Sequence, residues 1–189
     1  MAQGKNTGGQ TRQKLLDTAE QLFAKKGYSA TGVQEILRES GAPRGSFYFH
    51  YPNGKVQLAV EAMKSSATHL QTMLAAQFTQ GLTRQEKIHI IFAAFQEHLL
   101  SHQLELGCPT ATIALEAPNE ELQTVAQEIF REWERLIQEH LGMEEQEATA
   151  LLSAVEGALM LSKVYGHPGP LRAVAKQYDV NLPTSDEVT

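Results

Sequence analysis

The sequence predicts an all-α protein, and three observations carry that expectation. Apolar residues recur at spacings of three and four through one segment after another, the period of a helix with one buried face. No segment alternates apolar and polar residues long enough to read as a strand. Gly, Pro, Asn and Ser fall between the periodic segments, where helices start and stop.

Taken in order, the segments predict nine helices. In the first, Leu15, Leu16, Ala19, Leu22 and Phe23 share a face, and Gly27 stops it. Thr31 is placed to cap the second, whose inner face is Val33, Ile36 and Leu37. Ser40-Gly41 forms a turn, and Pro43 suits the first turn of the third. The fourth begins near Lys55, carries Met63, Ala67, Leu70, Leu74 and Phe78 on its stripe, and ends by Gly81.

The fifth runs from about Thr83 to His102, with Ile88, Ile91, Phe92, Phe95 and Leu99 on one side. Gly107-Cys108-Pro109 breaks the pattern, and a short apolar helix through Ile113 and Leu115 follows. Asn119 with Glu120 and Glu121 makes a helix start, because a polar cap and an acidic first turn suit the helix dipole. The seventh helix continues to Gly142, the eighth spans about Glu144 to Tyr165, and the ninth runs from Pro170 to about Tyr178.

Composition fits a soluble protein of 189 residues with 42% hydrophobic content. The net charge of −6 conceals an asymmetry. Residues 1–58 hold eight Lys and Arg against Asp17, Glu20, Glu35 and Glu39, which is +4; the remainder carries −10. A basic end on an acidic body is expected where only that end meets nucleic acid. The single cysteine, Cys108, excludes an intramolecular disulfide and suits a reducing cytosol. No signal peptide is visible, and the strongest apolar run, Ile90 to Phe95, is far shorter than the roughly 20 residues of a membrane helix. A cytoplasmic protein with no membrane partner is expected, and no cofactor is implied.

The most informative stretch is Thr31 to Leu58, TGVQEILRESGAPRGSFYFHYPNGKVQL: two short helices joined by a Gly turn, then a loop and the start of another helix. GAPRGSFYFHY combines small residues, one Arg, a hydroxyl and a run of aromatics, with Lys55 at the next helix start. Such an element enters a major groove while its flanks hold phosphates.

These residues resemble the TetR family of transcriptional repressors over about Arg12 to Leu58. Gly107-Cys108-Pro109 after the fifth helix, with Gly157 and Lys163 on the eighth, is most similar to the LmrA/YxaF-like branch. The resemblance implies a nine-helix homodimer: a flexible arm (1–10), a helix-turn-helix domain (11–54), a ligand-binding and dimerisation domain (55–182) and a loose tail (183–189). Its implied partners are a palindromic double-stranded DNA operator, a second copy of the chain and a small apolar or aromatic effector that releases the DNA.

By position, Thr31 matches a hydroxyl and helix N-terminus offered to phosphate. Arg44 and Gly45 match positions that approach base edges, where Arg offers a bidentate fork to guanine and Gly admits the backbone. Ser46 matches a base or phosphate contact, Tyr48 and His50 match backbone contacts, and Lys55 matches a phosphate-binding lysine. Phe47 and Tyr51 match residues packed on the first helix. Phe49, where many relatives carry Tyr or His, and Pro43, where Ser or Thr is frequent, are departures that bear on which operator is read.

The resemblance also implies a cavity among the later helices. Met63, Met73, Phe78, Phe92, Phe95, Cys108, Ile113, Trp133 and Lys163 are its expected lining, since flexible Met and flat aromatics suit an apolar ligand. Ala148, Leu151, Leu152, Ala154, Val155, Ala158 and Leu159 form a small, apolar helix face; Leu151, Leu152, Val155, Ala158 and Leu159 are its expected dimer contacts.

Two other chemistries are legible. His98 and His102 lie one helical turn apart and could share a metal, with Cys108 and Glu116 as conceivable further ligands, against the simpler reading of a polar helix edge. Cys108 with Lys163 suggests an electrophile-sensing thiol, against the simpler reading of a small buried side chain and a snorkelling lysine. A small-molecule-binding protein without DNA affinity is the remaining alternative. No Ser/His/Asp or Cys/His arrangement supports an enzyme.

Overall fold

The structure, a computed structural model, describes residues 7–183. The described residues form nine α-helices and no strand: α1 (Thr7–Lys26), α2 (Val33–Ser40), α3 (Phe47–His50), α4 (Gly54–Gln77), α5 (Arg84–Ser101), α6 (Pro109–Glu116), α7 (Glu120–Leu141), α8 (Glu145–Tyr165) and α9 (Gly169–Gln177). The all-α expectation therefore holds, and most boundaries follow from local chemistry. A reciprocal capping box between Thr83 and Glu86 starts α5, and Asn119 Oδ1 accepts from the Leu122 N–H at the start of α7. Gly41 ends α2 at φ 65°, a left-handed conformation that any side chain would strain.

Two boundaries differ from the expectation. α1 begins at Thr7, so the last four residues of the expected arm are helical, while residues 1–6 of it lie outside the described residues. The expected tail lies outside them as well, apart from Pro183. α4 ends at Gln77, short of Gly81.

α3 is a single turn, and Pro43 is not on it. The Ser46 N–H and the Ser46 hydroxyl both donate to the Pro43 carbonyl, at 2.9 and 2.7 Å, which closes Pro43–Ser46 into a turn before the helix starts. Tyr51, at φ −131°, ends the helix because the residue before a proline is pushed out of the α region.

The chain divides into two compact units. The first holds the described residues up to Thr68 together with Pro109–Gln127; the second holds His69–Cys108 and the described residues from Glu128 onward. α4 and α7 therefore each contribute residues to both. In the first unit α1 packs on α2 and on α6, and Leu15, Ala19, Phe23, Ile36, Phe47 and Tyr51 are fully buried. In the second, Ile88, Phe92, Leu99, Leu151, Val155 and Leu171 belong to one core built from α5, α8 and α9 with the end of α7.

Candidate DNA-contacting head and apolar cavity

Burial sorts the aromatic run of the first unit by function. Phe47 and Tyr51 are fully buried, as expected of residues packed on the first helix. The Tyr51 hydroxyl donates to the Arg12 carbonyl at 3.1 Å, and the Arg12 guanidinium lies 5.3 Å from the Tyr51 ring centre while pairing with Glu61. Burial pushes the Tyr51 phenol up to about 12, so it stays a hydrogen-bond donor at every physiological pH.

Between these anchors, Tyr48 is 66% and Phe49 80% exposed. Folded chains seldom leave two adjacent large rings in water without a partner surface. Tyr48 stands edge-on to Phe47, and Phe49 edge-on to His50, which is half-buried. Arg44 and Gly45 sit in the exposed turn that precedes α3, beside the exposed Pro43. The Pro43–Ser46 turn and the outward side of α3 thus present Arg44, Gly45, Tyr48 and Phe49 together, on a rigid base of buried Phe47 and Tyr51.

Two residues expected at phosphates make bonds inside the head. Thr31 is fully buried, and its hydroxyl donates to the Gly27 carbonyl at 2.7 Å. The N-cap of α2 is Gly32 rather than Thr31, without a side-chain cap bond. Lys55 Nζ donates to the Tyr28 and Thr31 carbonyls, at 3.0 and 3.1 Å, and lies 3.9 Å from the centre of the Tyr28 ring. Burial pulls the Lys55 ammonium down, and Glu116 partly offsets this. Ser46 spends its hydroxyl proton on Pro43, which leaves its oxygen to accept but not to donate.

α6 completes the head. Glu116 Oε2 accepts from the Ser29 N–H at 2.7 Å, and the Thr112 hydroxyl donates to the Phe23 carbonyl at 3.1 Å. The basic charge of the head is partly matched: Lys26 pairs with Glu35, and Arg38 reaches Glu39 at 2.9 Å and Glu35 at 3.5 Å. The hydrogen bond from Lys26 holds the Glu35 carboxyl below the usual carboxylate range.

The second unit contains a cavity of about 190 Å³. Leu70 and Leu74 of α4, Ile91 and Phe95 of α5, Trp133 and Ile137 of α7, and Leu151 and Val155 of α8 form most of its wall. Gln71, Trp133, His140 and Glu156 are the lining residues that carry polar side-chain atoms. Of the expected lining residues, Phe78, Phe95 and Trp133 are present. Phe92 is fully buried in the core instead, and Met63 and Ile113 are fully buried in the first unit. Met73, Cys108 and Lys163 are not on the wall.

Cys108 nevertheless touches the wall through a partner that the sequence reading missed: its thiol hydrogen-bonds the Glu156 carboxyl. Burial raises that carboxyl to about 7, and the thiol bond opposes the rise. Glu156 was detectable in principle, as a carboxylate at apolar spacing between Leu152 and Leu159 on α8.

The expected dimer residues lie largely inside the second unit. Leu151, Val155, Ala158 and Leu159 are buried within their own chain, and Leu151, Leu152 and Val155 line the cavity. The apolar residues that α8 exposes are Met160, Val164 and Tyr165. His98 and His102 do lie together, with ring centres 4.6 Å apart and planes tilted by 44°, but His102 Nδ1 lies 2.9 Å from the His98 carbonyl oxygen. No group of three or more His, Cys, Asp or Glu placed to hold a metal occurs among the described residues.

Known proteins agree with this architecture. Residues 15–62 match the family model of bacterial regulatory proteins of the tetR family, and residues 84–177 that of the C-terminal domain of LmrA/YxaF-like transcriptional regulators. The HTH-type transcriptional regulator YxaF of Bacillus subtilis, itself described as uncharacterized, is 33% identical over 181 residues, 91% of this chain and 95% of its own length. The chain belongs to the TetR family.

This TetR-family regulator is also 31% identical to the HTH-type transcriptional regulator LmrA of Bacillus subtilis, over 86% of the chain and 92% of the relative. Among solved structures, the regulatory protein TetR from Rhodobacter sphaeroides superposes with a TM-score of 0.81 at 22% identity, covering 89% of this chain and 96% of that one. Reduced Escherichia coli NemR superposes at 0.72 and 23% identity, covering 89% and 95%; both likenesses speak to fold alone. Its relatives are transcriptional regulators, not enzymes, in line with the absence of a catalytic set from the sequence reading. No helix among the described residues is long and apolar enough to cross a membrane.

Proposed function

We propose that this regulator is a cytoplasmic repressor that binds a palindromic operator as a homodimer and is released by a small apolar or aromatic effector. The observation that carries the DNA-binding part is the exposed set Arg44, Gly45, Tyr48 and Phe49, held on fully buried Phe47 and Tyr51. Arg44 forks to a guanine edge, Gly45 lets the turn approach the bases, and Tyr48 and His50 meet the backbone. Phe49 gives an apolar contact in place of a polar one. Residues 11–54 supply the reading surface, while Lys55 and α6 hold its loops.

Two heads read a palindrome only when their centres are about one helical turn apart, roughly 34–36 Å. The exposed Met160, Val164 and Tyr165 on α8 are the surface on which the second copy docks.

The apolar cavity of the second unit is the effector site. Binding there releases the operator only if the effector prefers a conformation whose heads no longer fit successive grooves. α4, which carries both Lys55 and the wall residues Leu70 and Leu74, is the element that transmits the change.

The test is a gel-shift titration of the upstream region of the chain's own gene with a compound series. Release by apolar aromatics, abolished by Leu74→Trp to fill the cavity while operator affinity is kept, supports the reading. Release that persists in the filled variant rejects the cavity as the effector site.

A further inference from the structure

Glu156 is the one acidic residue on the wall of the cavity. It lies on α8 and shares the wall with Leu152, Val155 and the aromatic residues Phe78, Phe95 and Trp133. A carboxylate in such walls lacks the water that would solvate it, and the Cys108 thiol that bonds it from behind the wall is a weak partner. The arrangement joins a poorly solvated anion to aromatic faces, and both attract an organic cation.

We propose that the cavity selects lipophilic amines, with Glu156 accepting a charge-assisted hydrogen bond from the ammonium and the rings of Trp133, Phe95 and Phe78 surrounding it. This rests on the reading of the cavity as the effector site and specifies its ligand class. A bound ammonium gives the carboxylate the counter-charge that the apolar walls withhold, and the hydrocarbon body fills the remainder. A neutral ligand of the same shape gains the apolar contact but leaves the carboxyl to stay protonated, which near pH 7 it does readily.

Affinity for an amine therefore rises as pH passes upward through about 7, because the anion that receives the ammonium forms over that range. The other titratable groups near this site are the Cys108 thiol, which bonds Glu156, and His140, which lines the same cavity. Both are retained in Glu156→Gln, so any pH dependence left in that variant belongs to them.

The sole tryptophan of the chain, Trp133, lines the cavity and reports occupancy by its fluorescence. Full-length protein is titrated with tert-butylbenzylamine and with tert-butylbenzyl alcohol at about pH 6 and about pH 8. The amine should bind about tenfold or more tightly than the alcohol at the higher pH, the size of a hydrogen bond to a charged group. That preference should shrink at the lower pH and vanish in Glu156→Gln, which should still bind the alcohol.

Equal binding of the two probes by the native protein, or an amine preference that survives in Glu156→Gln, overturns this proposal and leaves the cavity reading standing. Absence of any fluorescence response to either probe at both pH values overturns the cavity reading along with it.

Discussion

Lys55 Nζ donates to the Thr31 carbonyl at 3.1 Å, a bond between two residues that are both expected at DNA phosphates. The same ammonium reaches the Tyr28 carbonyl at 3.0 Å. It staples the start of α4 to the loop that enters α2. Lys55→Met should therefore cost stability first. Loss of two hydrogen bonds from a charged donor predicts about 1–3 kcal/mol in denaturant unfolding. The salt dependence of operator binding should stay close to native; a slope reduced by about one ion would assign Lys55 to phosphate instead.

Arg44 behaves in the opposite way. It is exposed in the turn before α3, so Arg44→Ala should leave thermal unfolding unchanged. It should weaken the selected operator by about 1–3 kcal/mol and flatten the preference at one base pair of each half-site. A loss shared equally by all duplexes would place Arg44 on the backbone.

Gly27 is a point of intolerance. It adopts φ 85°, and a Cβ built there runs into the Glu116 carboxylate that caps Ser29. Gly27→Ala should lower stability by about 1 kcal/mol or more, with Glu116→Ala showing a smaller loss from the missing hydrogen bond alone. If Gly27→Ala melts like the native protein, α6 does not close the α1–α2 loop as described.

Glu156 predicts a pH signature. Its folded carboxyl is raised from the ordinary 4.5 to about 7, so between those values the native state holds a proton that the unfolded chain has lost. Native stability contributed by this group is thus greatest in acid and falls as pH rises through about 7. Glu156→Gln should be more stable than the native protein at about pH 8, and the gap should close below about pH 4.5. Parallel stability curves for the two proteins would show that the carboxyl is solvated in the folded state.

Much of the fold was legible because its punctuation is local. Gly41, the Thr83–Glu86 box and Asn119 mark helix ends through bonds to residues within a few positions, so the sequence displays both partners. Arg44, Tyr48 and Phe49 were legible for the same reason, as exposed-type residues between buried anchors. α3 was over-extended because Ser46 bonds back to Pro43, a turn that competes with helix over the same residues. Thr31 was misread as a cap because its hydroxyl turns inward to Gly27, while a glycine serves at the cap position.

What the sequence hid was long-range. The bond from Ser29 to Glu116 spans 87 positions, and no periodicity announces it. The cavity mixed up two faces of α8: a stripe of Leu151, Val155 and Leu159 reads equally as an interface or as a wall until its neighbours are known. Glu156 was passed over because one carboxylate on a helix usually faces water.

Operator selection from a random duplex library, run in parallel on the native protein and on Arg44→Ala, tests the central claim most directly. The native protein should enrich one inverted repeat with half-site centres about one helical turn apart, at two protomers per duplex. Arg44→Ala should then lose discrimination at a symmetric pair of positions. Enrichment of no motif, with weak binding to all duplexes that Arg44→Ala leaves unaltered, would contradict it.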